Sequence, residues 1–467
     1  MSPPGFVLGD WPKKKKDLCD LSGQSGLKGM CSAVYRGAPV NPDLIVRMYK
    51  WTQPRFSTND TEFFEKVKVF LGCDPLTKAS RLIECSHQEW RKLMSAQRRR
   101  ELLQRGRTNV AQFFIDLEDH PSKPEALWIR DRAVNSQFAY LSRASVDGWH
   151  TLITYGENYS LYEDCEDVLK KFLNSDSKWK ALVKSGKIGS IVILGAGAES
   201  KDREILNNLC NKDYFSTDGH LKYVVFDNSF FMLTDTYAEL EKFIVGRGCQ
   251  GKIEPVACVC NFLNLKRWED ELRPHNDDQV AVFFVLGGTI GNLNERLLLE
   301  SIGEVARPGD LLIIGNDFIR GSDLEVCKKS LLEIYDRDDT RDFVLAAVQK
   351  LLDSENISRD DAERRALVDV QVNTTSELPS AFATHLPGTL APVFRLTVPI
   401  KGVRLALAVA KKFTEDALTA ACQTQYFKHC GVHRLEKKET LEKKGAADNP
   451  TPYEYHVFER QEPGAMN

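Results

Sequence analysis

Residues 191–201, Ile-Val-Ile-Leu-Gly-Ala-Gly-Ala-Glu-Ser-Lys, join an apolar strand pattern to a Gly-x-Gly turn and the start of a helix-type stretch. Gly195 and Gly197 can take backbone angles closed to other residues and let a ligand approach the main chain, while the amino end of a helix offers unpaired N–H groups. Such a cradle suits a nucleotide. Asp227 closes the next strand pattern, 221–226, and a carboxylate at a strand tip can accept two ribose hydroxyls at once. The dinucleotide fingerprint fits poorly. Ser200 stands in place of the third glycine, and Asp227 follows Gly197 by 30 residues where that fingerprint wants about 20.

A second grouping lies downstream. Residues 280–286 are continuously apolar and end in Gly287-Gly-Thr-Ile-Gly-Asn292; a helix-type stretch then leads to Pro308-Gly309-Asp310 and the apolar run 311–314. Apolar runs of this length, separated by helical patterns, read as a parallel sheet covered by helices on both faces. In such sheets ligands bind beyond the carboxyl ends of the strands. Gly195, Gly197, Asp227, Asn261, Gly287, Gly288, Gly291, Asn292, Gly315 and Asp317 all fall at those ends.

These residues carry a family resemblance. The segment 191–318 resembles the methyltransferases dependent on S-adenosylmethionine (SAM) that include the histidine Nα-methyltransferases of ergothioneine biosynthesis and the fungal dimethylallyltryptophan N-methyltransferases. The most specific match is Leu286-Gly-Gly-Thr-Ile-Gly-Asn-Leu293, nearly identical to that family's Gly-Ser-Thr-Ile-Gly-Asn run. As in the family, a helix, a Pro-Gly-Asp turn and a strand ending in Gly-x-Asp follow, the last being Gly315-Asn316-Asp317. Leu194-Gly-Ala-Gly197 with Lys201 matches the first family motif, Tyr223-Val-Val-Phe-Asp227 with Ser229 the second, and Asn261-Phe262 stands where the family has Asp-Phe. Where the family has an acid before the first glycine motif, this chain has Ile193.

The resemblance implies an α/β fold: a seven-stranded, Rossmann-like class I methyltransferase sheet with an added, mainly helical substrate domain. It implies SAM as cofactor, held by Gly195, Gly197, Lys201, Asp227, Asn261, Phe262 and Gly287, with Asn261 and Phe262 beside the adenine. It also carries over candidate substrate residues: Asn292 from the Thr-Ile-Gly-Asn run, Tyr335 from a tyrosine after the fifth core strand, and Tyr159 from an amino-terminal one. An amide and a phenol can clamp an α-carboxylate or hydrogen-bond an amine; equally, Asn292 can cap the next helix and Tyr335 can be a core tyrosine. In the histidine enzymes a glutamate and a serine shortly before a Lys-Phe pair bind the imidazole. Here residues 407–413 read Leu-Ala-Val-Ala-Lys-Lys-Phe, with Ala408 and Ala410 in place of both polar groups. Alanines would leave a buried imidazole unpaired at a cost of about 1–3 kcal/mol per group. The expected acceptor is therefore the amine of another small molecule, an amino acid or alkaloid-type intermediate.

A chain of 467 residues can bury a large core. The expected division is an amino-terminal helical region, 1–165, and an insertion, 321–405, both contributing to the substrate domain, with the SAM-binding core at 166–320 and its carboxy-terminal end at 406–467. Helices are expected over 60–70, 85–106 and 161–173, and an extended stretch over 371–399. The balance of 63 basic against 66 acidic side chains gives no field for nucleic acid. No segment approaches the roughly 18–20 apolar residues of a membrane helix, and no signal-peptide pattern opens the chain; a cytoplasmic protein with a small-molecule partner is expected. The basic runs 13–16 and 98–100 read as solvated faces. Twelve cysteines without Cys-x-x-Cys spacing read as reduced thiols, and nine histidines without paired spacing give no expected metal site. Two other readings stay open on sequence alone: a catalytically silent SAM-fold scaffold or regulatory subunit, and an NAD(P)-dependent oxidoreductase.

Overall fold

The computed structural model describes residues 45–50, 83–86, 112–116, 129–130, 133–134 and, with short gaps, 143–435 and 450–464. The expectations for residues 13–16, 60–70 and 98–100, Tyr159 and Asn261 lie outside the described residues. In chain order, β1 (Ile45–Lys50), β2 (Ile83–Ser86), β3 (Gln112–Asp116), β4 (Ile129–Arg130) and β5 (Ala133–Val134) come first, followed by helices α1 (Arg143–Tyr155), α2 (Ser160–Ser175) and α3 (Ser177–Ser185). The core then alternates: β6 (Ile188–Leu194), α4 (Glu199–Asn211), β7 (Leu221–Asp227), α5 (Phe230–Gly246), β8 (Ile253–Val259), a 3-10 helix (Phe262–Trp268), α6 (Glu269–Leu272), β9 (Val280–Val285), α7 (Thr289–Asn292), α8 (Glu295–Val305) and β10 (Leu311–Asp317).

Strands β8, β7, β6, β9 and β10 lie side by side in that order and are parallel. The sheet is completed by β15 (Tyr453–Arg460), antiparallel to β10, and by β14 (Phe427–Arg434), antiparallel to β15. These seven strands, with helices on both faces, have the topology of a class I methyltransferase. Beyond β8, strands β3, β1 and β2 continue the sheet in parallel. Cys85 and Ser86, expected to open a helix, instead end β2, paired with Tyr49 and Lys50; pairing within the sheet overrides local helix preference.

Both faces of the core strands are buried, which is why those strands read as largely apolar runs rather than alternating ones. Ile191, Ile193, Tyr223, Val225, Val282 and Phe284 meet α2 to α5 on one face. Val192, Leu194, Val224, Phe226, Phe283 and Val285 meet Trp268, α8 and helix α12 (Glu415–Thr424) on the other. Ile193, at the position of the family's acid, is a core residue of the first face. Among the described residues no helix is long and apolar enough to cross a membrane.

A second, smaller sheet stands apart. Residues expected to be extended form β11 (Val368–Thr374) and β12 (Leu390–Val398), which pair antiparallel, and β13 (Val403–Val409) pairs with β12. Strands β5 and β4 extend it beyond β13. Helices α9 (Leu324–Tyr335) and α10 (Asp338–Ala347) share an apolar cluster with this sheet and with Leu152 of α1, and the short α11 (Asp361–Ala366) leads into β11.

At the amino-end edge of the core sheet, the Pro-Gly-Asp turn supplies a fully buried carboxylate. Asp310 accepts from Ala281 N (2.7 Å), Arg307 N (2.7 Å) and Arg273 Nη2 (2.8 Å), so it ties three segments together. Asp310→Ala would orphan the buried Arg273 charge and two main-chain donors. Removing one partner of a buried pair costs about 3–5 kcal/mol; urea unfolding should show a loss of this size, and a loss under 1 kcal/mol would refute the assignment.

Candidate cofactor and acceptor site

The order of the core strands reverses between β6 and β9: the chain proceeds from β6 to β7 and β8 on one side, then returns to β9 and β10 on the other. At such a switch point the two following connections turn away from each other and open a crevice. The glycine turn after β6 and the glycine run after β9 face each other there. Gly195 holds φ at +93°, and a Cβ on it would meet Thr289 Oγ1 at 2.8 Å, so only glycine lets the two turns close up. Across the same gap, a Cβ on Gly287 would stand 2.8 Å from Lys201 Nζ. Gly197 differs: its Cβ direction meets nothing within 4 Å, so this turn looks into open space.

Asp227 ends β7 beside this turn. Its Oδ2 accepts from Ala196 N at 2.9 Å and its Oδ1 from Ser229 N at 2.7 Å, while Ser229 caps α5 by accepting from Met232 N. Each carboxylate oxygen keeps further acceptor capacity. Burial pushes the Asp227 carboxyl up to about 7, although the main-chain hydrogen bonds from Ser229, Ala196 and Asn228 pull it down. Gly195, Gly197, Lys201, Asp227 and Gly287 are thus brought to one crevice. Phe262 opens the 3-10 helix after β8, and Asn261 and Tyr159 lie outside the described residues.

The wall beside the glycine run after β9 is built from residues the motifs did not single out for such a role. Lys411 and Lys412 follow β13 and are both buried. Lys411 N donates to Gly291 O (3.0 Å), Asn316 Nδ2 donates to Lys411 O (3.1 Å), and a Cβ on Gly291 would run into that same lysine's carbonyl. Lys411 Nζ reaches Glu295 Oε2 (2.6 Å) and Leu293 O (2.5 Å). Burial alone would raise the Glu295 carboxyl, but the Lys411 charge and the hydrogen bonds from Lys411 and Thr384 bring it below its usual value. Lys412 Nζ pairs with Asp317 and lies 5.3 Å above the Tyr335 ring.

Tyr335 is buried and packs edge-on against Phe394 in the second sheet's apolar cluster. It reaches the core sheet through Lys412. Asn292 is half-buried at the end of α7. The helix that follows is capped by Asn294, whose side chain accepts from Leu297 N at 3.1 Å, so capping is not the role of Asn292. Trp149 of α1 donates from Nε1 to Gly197 O (3.1 Å), and its ring stands 5.6 Å from Phe343. It joins the glycine turn to the smaller sheet's cluster, to which Ala408 and Ala410 also belong. Nothing in a linear motif marks Trp149. Two lysines after six residues of apolar strand were the available cue to the buried pairs at 411 and 412.

A nucleotide crevice at the switch point of a seven-stranded sheet, with an acid at the tip of the second core strand, defines the class: a SAM-dependent methyltransferase. The sequence model of the histidine-specific, SAM-dependent methyltransferases matches residues 150–440, and the chain belongs to that family. Among solved structures it is similar to the 1,6-didemethyltoxoflavin-N1-methyltransferase of Burkholderia thailandensis with bound 1,6-didemethyltoxoflavin and S-adenosylhomocysteine (11% identity, TM-score 0.32, covering 68% of this chain and 85% of that one). It is also similar to the glycopeptide N-methyltransferase MtfA complexed with sinefungin (11%, 0.30, 64% and 97%) and to the CcbJ methyltransferase of Streptomyces caelestis (12%, 0.28, 61% and 89%). No curated protein matches the sequence.

The Asp227 environment has a pH signature. The unfolded chain ionises this carboxyl near 3.8, the folded protein near 7, so the folded state holds the extra proton between those values. This contribution to stability is fully present below the unfolded value and is lost as pH rises through 7. Between pH 5 and pH 8 the wild type should lose about 2–3 kcal/mol relative to Asp227→Asn in cofactor-free urea unfolding. A difference that stays constant over this range would refute it.

Proposed function

We propose that the protein transfers the SAM methyl group to the amine of a small apolar or aromatic molecule, and that histidine is not its acceptor. Gly195, Gly197, Lys201, Asp227 and Gly287 would hold the cofactor, with Asn261 and Phe262 after β8 on the adenine side. The fit is supported by the open space at Gly197 and the spare acceptor capacity of Asp227. When bound, SAM supplies an activated methyl group on a sulfonium. The chain's own residues then have to position an uncharged amine in line with that methyl and keep water out, and positioning of this kind can provide most of the rate.

The observation that supports the acceptor reading is the apolar packing around Ala408 and Ala410. Ala408 and Ala410 share one apolar cluster with Trp149, Tyr335, Phe343 and Phe394, and the two nearby lysines are committed to Glu295 and Asp317. An aryl or prenyl group suits such a wall, and an imidazole would leave its nitrogens without partners there. Asn292 and Tyr335 are proposed to orient the acceptor, Asn292 because its capping role has passed to Asn294 and Tyr335 because it stands at the seam between the two sheets.

Two outcomes are expected. Calorimetric titration should show SAM and S-adenosylhomocysteine binding to the wild type and at least about tenfold weaker binding to Asp227→Ala, in line with the loss of charge-assisted hydrogen bonds; unaltered affinity would remove Asp227 from the cofactor site. With a methyl-labelled cofactor, aromatic amino acids and alkaloid-type amines should be methylated and histidine should not, while Ala408→Glu/Ala410→Ser should gain histidine methylation. Trimethylhistidine formation by the wild type would overturn the acceptor assignment, and SAM binding without turnover on any amine would favour a silent scaffold.

A further inference from the structure

On the face of the core sheet that carries α12, three potential metal ligands converge away from the cofactor crevice. His456 lies on β15 and is completely buried; His429 lies on β14, next to a bulge at Cys430; Glu415 is the first residue of α12. One donor atom from each falls within 4.8 Å of the other two. The two histidines are 27 residues apart in sequence, and it is the antiparallel β14–β15 pairing that brings His456 Nδ1 to 3.3 Å from His429 Nε2. A tetrahedral ion with metal–nitrogen bonds of about 2.0–2.1 Å separates its ligand atoms by about 3.3 Å.

The surroundings orient these donors. The other nitrogen of His456, Nε2, lies 3.1 Å from Glu454 Oε2. With Nε2–H donated to that carboxylate, Nδ1 turns a lone pair toward His429, the arrangement of a carboxylate–histidine–metal unit. Phe318 covers His456, with ring centroids 4.1 Å apart, and closes the site toward the core. Arg320 binds both Glu415 and Glu454, which fixes the two carboxylates on this side. His429 and Glu415 are only half-buried, which leaves an approach for an ion and for a water as fourth ligand.

We propose that Glu415, His429 and His456 bind one divalent transition ion of the zinc type. Two imidazoles and one carboxylate select such an ion over magnesium or calcium, which prefer all-oxygen sites. The site is a clip: it joins the first turn of α12 to the β14–β15 edge. Phe413, two residues before Glu415, bridges to Phe318, and Lys411 and Lys412 come directly before it. Binding therefore steadies the segment that floors the acceptor site without adding a group to the reaction. The proposal does not depend on which amine is methylated.

The test uses the full-length protein stripped with a chelator and titrated with zinc and with cobalt(II). The expected result is one ion per chain, a cobalt spectrum of four- or five-coordinate nitrogen and oxygen ligation with no thiolate charge-transfer band, and a rise in Tm on zinc addition. His429→Gln and Glu415→Gln, both at half-exposed positions, should each weaken zinc binding at least about tenfold and abolish the Tm rise while retaining S-adenosylhomocysteine binding. Failure to bind, undiminished binding in both variants, or a thiolate band in the wild type would each overturn the proposal. The last readout stands even if a variant does not fold. An outcome in which the two imidazoles share only a proton would appear as no stoichiometric metal uptake.

Discussion

Two adjacent lysines cannot be buried unless each meets an opposite charge, because the desolvation of an ammonium costs several kcal/mol. At positions 411 and 412 the partners are Glu295, which begins α8, and Asp317, which ends β10. The lysines leave the end of β13 in the smaller sheet, so satisfying them pins that sheet onto the carboxyl end of the core sheet. The same few residues fix the shape of the site: Lys411 lies against Gly291 with no room for a side chain between them, and Lys412 sits above the Tyr335 ring. These two ion pairs help hold that wall of the glycine crevice in place.

The opposite side of the crevice is held by neutral contacts. Trp149 donates to the carbonyl of Gly197, and its ring packs on Phe343, so α1 touches both the cofactor turn and the apolar cluster of the smaller sheet. A change in that cluster can therefore be felt at the turn, since packed interiors transmit displacements rather than absorb them. Methyl transfer places little chemical demand on the protein beyond geometry, and the buried pairs of Lys411 and Lys412 serve that geometry by holding a wall in place. Asp227 acts at the glycine turn. Its main-chain hydrogen bonds from Ala196 and Ser229 lock the first glycine turn to the tip of β7, while burial keeps its carboxyl near neutrality.

Much of the fold was legible before any coordinates. The runs at 191–194, 221–226, 280–286 and 311–314 announced parallel strands because both faces of each are buried, and the glycines after the first and third marked the switch point. The family match over residues 150–440 agrees with the motifs at Gly195, Asp227 and the 287–292 run. The extended stretch 371–399 was visible, but its pairing with β13 was not, since antiparallel partners are chosen by tertiary packing. Strand β2 was hidden for the same reason, with Cys85 and Ser86 lying in a segment of helical pattern.

By itself the sequence determined the class of fold and the position of the glycine cradle, because these depend on local properties: glycine's backbone freedom, strand periodicity and a carboxylate at a strand tip; the cofactor was implied by the family motifs. It also showed that alanines stand at 408 and 410. Only the tertiary structure decided what those alanines face, that Asn294 and not Asn292 caps α8, which carboxylate takes each lysine, and that Trp149 reaches Gly197 O. Only the β14–β15 pairing set His429 beside His456. Each of these is a contact between residues far apart in the chain, and no spacing rule encodes such a contact, since it arises when whole elements bury their apolar faces against one another.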